Sequence, residues 1–157
     1  MLHDIGKIGI REEILNKPDR LTPDEYEAMK CHVENAVNII RYLPSLDYVI
    51  PAVYSHHERY DGHGYPRQLK GEEIPILGRI LCVADSFDAM TSVRAYKPAM
   101  STAEAVMVLR NEAGKQFDPK LAMTFIDLIN RNKLQIKQPD IPDYAGFAAD
   151  DFISTAN

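Results

Sequence analysis

Histidine carries the most chemical information in this chain, because only five of its 157 residues are histidines. Four of them, with one adjacent aspartate, are candidate metal ligands: His3-Asp4, His32 and His56-His57. Neighbouring residues of a helix differ in direction by about 100°, so such pairs can straddle a helix end and face two metal ions. Sites with two ions about 3.5–4 Å apart need split ligands and a bridging carboxylate. Mixed imidazole and carboxylate ligation favours iron, manganese or zinc over calcium or magnesium.

Each candidate also has an ordinary structural explanation. A single histidine such as His32 on an apolar helix face is more often a satisfied core residue, and Asp4 alone can cap a turn. Asp85 is harder to explain, because it lies within the apolar run ILCVADSFDAM, where an unpartnered carboxylate costs several kcal/mol. It therefore needs a cation or strong hydrogen bonds. Asp88, one turn on, either supports Asp85 or is an exposed helix residue.

Three basic residues are candidates for binding phosphate. Lys7 follows Asp4 by three residues, so its ammonium can meet a phosphate held by a metal at Asp4. Arg94 and Lys97 lie in TSVRAYKP, where they can clamp a second phosphate, Arg94 in a bidentate manner and Lys97 as a point charge. Either residue alone is equally well explained as a solvated base on a loop.

The elements that position these residues are predicted to be helices. A capping box at 22–25, with proline at the first helical position, predicts a helix over 23–41. A second helix is predicted across 45–57, where Pro51 either kinks it or marks its true start. Apolar periodicity and capping residues predict further helices over 77–92, over 102–113 and from Asp118 onward. No segment has the alternating pattern of a strand, so we expect an all-α fold.

Two segments interrupt the helical pattern. The glycine loop, residues 59–75, contains three glycines and two prolines and is not expected to form regular structure. After about residue 131 the apolar periodicity gives way to Lys, Pro and Asp. We therefore expect one domain over 1–131, followed by a tail over 132–157 that is extended or loosely docked.

Composition narrows the class of protein. The chain has 18 basic and 23 acidic residues, a formal charge of −5, and no basic cluster, which argues against a nucleic-acid polymer as partner. No apolar run approaches the about 20 residues of a membrane span, and no signal peptide is recognisable. Cys31 and Cys82 are isolated in apolar surroundings, which predicts two buried thiols. We expect a cytoplasmic protein.

The ordered set of motifs resembles the HD-GYP family of the HD superfamily. It comprises HDIGK at 3–7, His32, HHERYDGHGYP at 56–66 and ADSFDAMTSVRAYK at 84–97, supported by segments 14–25, 74–75 and 116–119. The resemblance covers roughly residues 2–129. Members of that family are phosphodiesterases that hydrolyse the bacterial second messenger cyclic di-GMP. The resemblance implies an HD-domain helical bundle with a GYP loop between helices.

The resemblance also implies a role for each candidate residue. The implied metal ligands are His3, Asp4, His32, His56, His57 and Asp85, with Asp4 as the bridge, and they would hold two or three transition-metal ions, iron or manganese. Lys7, Arg94 and Lys97 would contact phosphates, and Tyr65 would lie near the ligand. Lys7 would act with Asp4 in catalysis, by stabilising charge or by protonating the leaving oxygen. Glu58, Asp61 and Gly62 match the family loop and are assigned to its architecture.

The sequence departs from this family at its beginning. HD superfamily members have helices before the His-Asp motif that supply at least one further metal ligand, whereas two residues precede His3 here. We therefore expect an N-terminally truncated domain with apolar surface exposed against the helices at 23–41 and 77–92. A homo-oligomer, or a longer parent protein with an upstream sensory or regulatory domain, would complete it.

Three functions follow from the sequence. The first is a metal-dependent phosphodiesterase that opens cyclic di-GMP to the linear dinucleotide, and further to GMP. The second is a catalytically inactive module that binds a cyclic dinucleotide or another protein. The third is an HD hydrolase of another nucleotide, against which the complete GYP loop counts.

Overall fold

The computed structural model describes residues 2–93 and 98–131, and its regular structure there is helical. The α-helices are α1 (Glu12–Leu15), α2 (Pro23–Ile40), α3 (Ile50–Ser55), α4 (Ile76–Thr91), α5 (Thr102–Asn111) and α6 (Pro119–Asn130); 3-10 helices cover Leu2–Gly9, Pro44–Val49 and Gly71–Glu73. The described ranges contain one isolated β-bridge, between Ala113 and Phe117, and no strand. The all-α prediction is confirmed. Among these helices, none combines the length and the apolarity needed to cross a membrane.

Short-range caps set the starts of three predicted helices, α2, α5 and α6. Thr22 Oγ1 accepts a hydrogen bond from the backbone N–H of Glu25 at 3.3 Å, and the Glu25 carboxylate accepts one from the Thr22 N–H at 2.7 Å. Ser101 and Glu104 form the same reciprocal pair before α5. The Asp118 carboxylate caps α6 through two backbone N–H groups. These are the bonds that the sequence predicts at each position.

The predicted helix over 45–57 is two helices. A 3-10 helix ends at Val49 and α3 begins at Ile50, so that Pro51 lies in the first turn. Proline lacks the N–H that a helix interior requires, and its missing donor is tolerated only in the first turn. Pro51 therefore marks the start of α3 rather than a kink. The glycine loop also contains one regular turn, the 3-10 helix Gly71–Glu73, which the sequence analysis did not predict.

The prediction of two buried thiols is wrong for Cys31, which is exposed on α2 and donates to the carbonyl of Glu27. Cys82 is buried as predicted, and burial raises the pKa of its thiol to about 12. A thiol with that pKa is protonated at neutral pH and is not a nucleophile.

Two apolar clusters support the fold. The larger joins α4, α5 and α6 through buried side chains such as Phe87, Leu109 and Ile126. The smaller joins α2 to α3, with Ile40 and Val53 at its centre. Helix α4 also packs against α3, so it connects the two clusters.

Glycine at position 6 allows the 3-10 helix Leu2–Gly9 to lie directly on the backbone of α2. A Cβ atom there would lie 1.9 Å from the carbonyl oxygen of His32 and 2.4 Å from the backbone nitrogen of Ala36. Only a residue without a side chain permits this approach. The contact brings the beginning of the chain beside His32.

Apolar side chains remain exposed beside this contact. Ile8 and Tyr42 are 83% and 88% exposed, and with Ile39 and Leu43 they line an open groove. Leu77, near the start of α4, is 48% exposed. These positions lie on or next to the helices where the sequence analysis expects exposed apolar surface. The predicted tail, 132–157, lies outside the described residues.

We predict that Gly6→Ala destabilises the fold, because the added methyl group must displace backbone atoms of α2 rather than a flexible side chain. Overpacking of this kind costs on the order of 1–3 kcal/mol. Gly9→Ala is the matched control, since its methyl group would meet only the side chain of Asn35. Urea unfolding of the two variants measures the difference, and equal stabilities would contradict the close approach at Gly6.

Candidate metal centre

The structure brings together the six side chains that the sequence analysis names as metal ligands, here called the histidine–aspartate cluster. They come from four elements. His3 and Asp4 lie on the 3-10 helix Leu2–Gly9, and His32 lies on α2. The others are His56 and His57 at the end of α3 and Asp85 on α4.

Backbone carbonyls orient two of the buried imidazoles. His32 Nδ1 lies 2.7 Å from the carbonyl of Met29, and His56 Nδ1 lies 2.6 Å from the carbonyl of Val53. A carbonyl oxygen only accepts, so each Nδ1 carries the proton and each Nε2 has a free lone pair in the neutral ring. His56 Nε2 is buried and has no hydrogen-bond partner among the described residues. A metal ion is the partner that such a buried lone pair suits.

The donor atoms form two overlapping groups. In each group the three donor atoms lie within 4.8 Å of one another: His32, His56 and His57 in the first, and His3, Asp4 and His56 in the second. Ligands that bind one transition metal at about 2.0–2.2 Å lie at most about 4.4 Å apart, so either group is close to the required size. His56 belongs to both. His57 Nε2 and His32 Nε2 are 3.2 Å apart, which places two ring nitrogens against each other where an ion can take both.

The two carboxylates have different positions in the cluster. Asp4 belongs to the second group and also approaches the first, with one oxygen 3.6 Å from His3 Nε2 and the other 3.9 Å from His32 Nε2. Asp85 Oδ1 is 3.1 Å from His3 Nε2 and lies outside both groups of three. Asp85 thus has the hydrogen-bonding partner that its burial requires. Asp88 is exposed and accepts from the hydroxyl of Ser92.

Burial sets the protonation of the cluster. It lowers the pKa of His32, lowers that of His56 to about 4, and lowers that of His57 well below its usual value, with neighbouring histidines adding to the effect on His56 and His57. Burial acts to raise the pKa of Asp85, but the hydrogen bond and charge of His3 outweigh it and the pKa is lowered overall. At neutral pH, His32, His56 and His57 are therefore neutral and Asp85 is ionised. These are the forms that bind metal ions.

Two further predicted site residues lie at the edge of the cluster. Lys7 Nζ is 2.9 Å from Asp4 Oδ2. The Tyr65 ring stacks on the His57 ring, with centroids 4.8 Å apart and planes inclined by 20°, and burial raises the pKa of its phenol. Arg94 and Lys97, the predicted phosphate contacts, lie outside the described residues. His63 is exposed on the glycine loop beside Asp61.

Glu58 holds the glycine loop over the cluster. Its carboxylate is buried and accepts hydrogen bonds from the backbone N–H groups of Arg67, at 2.7 Å, and Leu69, at 3.0 Å. The Tyr65 N–H donates to the carbonyl of His57 at 3.1 Å, which turns the loop back toward α3. A Cβ at position 64 would lie 2.2 Å from the backbone nitrogen of Arg59, so glycine is required there. These contacts explain how the loop places Tyr65 against His57.

The sequence analysis did not single out Tyr26 and Lys30 on α2 as site residues. The Tyr26 ring meets the Tyr65 ring edge to face at 6.3 Å. The Lys30 ammonium lies 4.7 Å from the centre of the Tyr26 ring and 5.5 Å from that of Tyr65. Their spacing of four residues places them on one face of a helix, but only the fold of the glycine loop brings that face to Tyr65.

Comparison with known proteins agrees with this architecture. Residues 1–121 match the HD domain family, and the chain belongs to that family. A relative from Thermotoga maritima, named a cyclic di-GMP phosphodiesterase, is 47% identical over 129 residues, which are 81% of this chain and 35% of the relative. Another from Vibrio cholerae, named 3'3'-cGAMP-specific phosphodiesterase 2, is 40% identical over 130 residues, 80% of this chain and 24% of the relative.

A solved structure shares the fold. It is a crystal structure of a cyclic GMP-AMP-specific phosphodiesterase from Vibrio cholerae, similar with a TM-score of 0.62 and 22% sequence identity over 84% of this chain and 37% of that chain. The prediction of an HD superfamily member is thus confirmed. The chain spans about a quarter to a third of the length of the relatives described above.

We predict that His56→Ala removes most bound metal, because His56 belongs to both groups of donors. Elemental analysis after loading with manganese or iron measures the metal content. His63→Ala is the matched control, since it removes an exposed imidazole outside the cluster and should leave the metal content unchanged. Equal metal content in both variants would contradict a metal centre at His56.

We also predict a pH dependence of the metal-free chain. The pKa of His56 is about 4 when folded and 6.5 when unfolded, so between these values the unfolded chain binds a proton that the folded chain does not. The free energy of unfolding should therefore fall as the pH drops from 6.5 to 4, by about 3 kcal/mol from His56 alone. Urea unfolding in chelator across this range measures it. His56→Gln should reduce the slope of the profile and leave the part that comes from His32 and His57. A flat wild-type profile would disprove the prediction.

Proposed function

We propose that this chain is the catalytic domain of a metal-dependent phosphodiesterase that hydrolyses cyclic di-GMP to the linear dinucleotide, and further to GMP. The observation that carries the proposal is the unpaired buried Nε2 of His56, shared by two groups of donors with the ammonium of Lys7 at their edge. The name of the Thermotoga relative, 47% identical to this chain, supports the choice of substrate.

The ligands suit iron or manganese, and we propose two or three ions held by His3, Asp4, His32, His56, His57 and Asp85, with Asp4 as the bridge. The imidazole nitrogens and carboxylate oxygens of these side chains are the donor set that such ions prefer. When bound, the ions would supply Lewis-acid activation of the phosphodiester and of water.

The chain's own residues would position the substrate. Lys7 would meet a phosphate oxygen near Asp4 and stabilise the charge that develops there, or give a proton to the leaving oxygen. Tyr65 would form the wall beside the reacting phosphate, because its ring covers His57. Arg94 and Lys97 would bind the phosphates from outside the metal shell. No cysteine nucleophile is proposed, since Cys82 is buried and protonated.

A second substrate is favoured by a specific observation. Relatives named 3'3'-cGAMP-specific phosphodiesterases are 40% and 36% identical to this chain. That molecule shares the two phosphodiesters of cyclic di-GMP and differs in one base. The metal centre would act on either, so the preference between them would be set where the bases bind.

The partners of the whole protein are also proposals. We propose a cytoplasmic protein that acts on a cyclic dinucleotide and not on a nucleic-acid polymer. Association of this domain with a second copy, or with an upstream sensory or regulatory domain, stays a prediction from the sequence.

We predict that the metal-loaded chain releases the linear dinucleotide from cyclic di-GMP, measured by chromatography. Asp85→Ala should lose metal and turnover together, because a partner of His3 is removed from the cluster.

Arg94→Ala should weaken cyclic di-GMP binding about ten- to a hundredfold with metal content unchanged, since a charge-assisted phosphate contact contributes about 1.5–3 kcal/mol.

Two outcomes would contradict this prediction. If the metal-loaded wild-type chain binds cyclic di-GMP but releases no product, the chain is the inactive binding module. If both variants stay folded and bind cyclic di-GMP as the wild-type chain does, the dinucleotide does not bind at the histidine–aspartate cluster and the proposed site is wrong. Turnover of 3'3'-cGAMP alone would assign the second substrate.

A further inference from the structure

Helix α2 presents a second polar side chain to the site besides His32. Lys30 lies two residues earlier, and its ammonium sits over both the Tyr26 and the Tyr65 rings. The Tyr65 ring in turn lies on the His57 ring. The Lys30 ammonium lies 5.5 Å from the centre of the Tyr65 ring, and that centre lies 4.8 Å from the centre of the His57 ring. Tyr65 is thus the contact between Lys30 and the histidine–aspartate cluster.

The ionic partner of Lys30 is weakly held. Lys30 Nζ lies 2.6 Å from a carboxylate oxygen of Glu27, three residues earlier on the same helix. The Lys30 side chain is 28% exposed, whereas that of Glu27 is 69% exposed. A pair with one partner so exposed contributes little, because water screens it. Two aromatic rings also contact the ammonium, whereas the Glu27 side chain is mostly exposed to solvent.

Arg94 and Lys97 are proposed above to bind phosphate, and Lys30 is a further cation near the site that the charge of the substrate can use. A cyclic dinucleotide carries two phosphodiester groups, each with one negative charge, and they cannot both occupy the reacting position at once. Among the described residues, Lys7 is paired with Asp4 at the cluster, next to the reacting position. Lys30 is separated from His57 by the Tyr65 ring, so it suits the phosphate that is not being cleaved.

We propose that Lys30 binds the non-reacting phosphate of the cyclic dinucleotide and that Glu27 is its internal competitor. The inference rests on the proposed function and adds to it a subsite on α2. A phosphate would replace the Glu27 carboxylate with another charge-assisted contact, on an ammonium that two aromatic rings already contact. The contact is the same in the ground state and in the transition state, so it contributes to KM and not to kcat.

The test compares two substitutions that break the same ion pair. Lys30→Met should raise KM for cyclic di-GMP about tenfold with kcat and metal content unchanged. Glu27→Gln should lower KM about two- to fivefold, because it removes the competitor. A structural role would move both variants in the same direction. Lys30→Arg should restore most of the affinity, since it restores the charge.

The matched control is Lys17→Met. It removes a lysine that precedes α2 and forms an ion pair with Glu25 of that helix. It should leave KM unchanged. The contact is to phosphate, so Lys30→Met should affect cyclic di-GMP and 3'3'-cGAMP equally. A loss confined to one of them would show a contact to a base and overturn the proposal.

The remaining outcomes separate this inference from the proposed function. If the wild-type chain cleaves a cyclic dinucleotide and Lys30→Met has the wild-type KM, the subsite is wrong and the function stands. If Glu27→Gln raises KM as Lys30→Met does, the pair is structural and the subsite is again wrong. If the metal-loaded wild-type chain neither binds nor cleaves either dinucleotide, the function and the subsite both fail.

Discussion

The hydrogen bonds from His32 and His56 to backbone carbonyls three residues earlier are the constraint on which the site depends. Each bond fixes the proton on Nδ1 and turns Nε2 away from its own helix. Burial then keeps both rings neutral, because a charged imidazole would lose its hydration. The lone pairs on Nε2 of His32 and of His56 therefore point into one buried space. Without a cation, that arrangement leaves His56 Nε2 unpaired.

Long-range packing brings the other candidate ligands to this space. His3 and Asp85 are 82 residues apart in sequence, yet their side chains are 3.1 Å apart. The approach depends on Gly6, which lets the 3-10 helix Leu2–Gly9 rest on the α2 backbone. Helix α4 reaches the same point because it packs against α3, where Gly78 lies directly against Ser55. Two close approaches through glycine therefore assemble one cluster from four elements.

The glycine loop adds the wall of the site. Glu58 follows His56 and His57 directly, and its buried carboxylate binds the far side of the loop through two backbone N–H groups. Because His56, His57 and Glu58 are consecutive in sequence, the position of Tyr65 is coupled to that of His57. Helix α2 completes the wall with Tyr26, whose ring contacts the Tyr65 ring. The same helix carries His32, a member of the histidine–aspartate cluster.

Much of the local structure follows from the sequence alone. The caps at Thr22, Ser101 and Asp118 act over two or three residues, so the segment that contains them determines where each helix begins. The all-α class follows from apolar periodicity in the same way. The candidate ligands were recognisable because rare histidines recur in an ordered set of motifs, and the HD domain assignment made from them is confirmed.

Only the tertiary structure decided which of these groups meet and which faces are covered. Cys31 is exposed because none of the elements within residues 2–93 and 98–131 covers it, and periodicity within the helix does not reveal that. The pairing of His3 with Asp85, and the place of Lys30 above Tyr65, likewise depend on how separate segments pack. The physical reason is range: capping and helix periodicity act within a few residues, whereas burial and contact depend on segments that are distant in the chain.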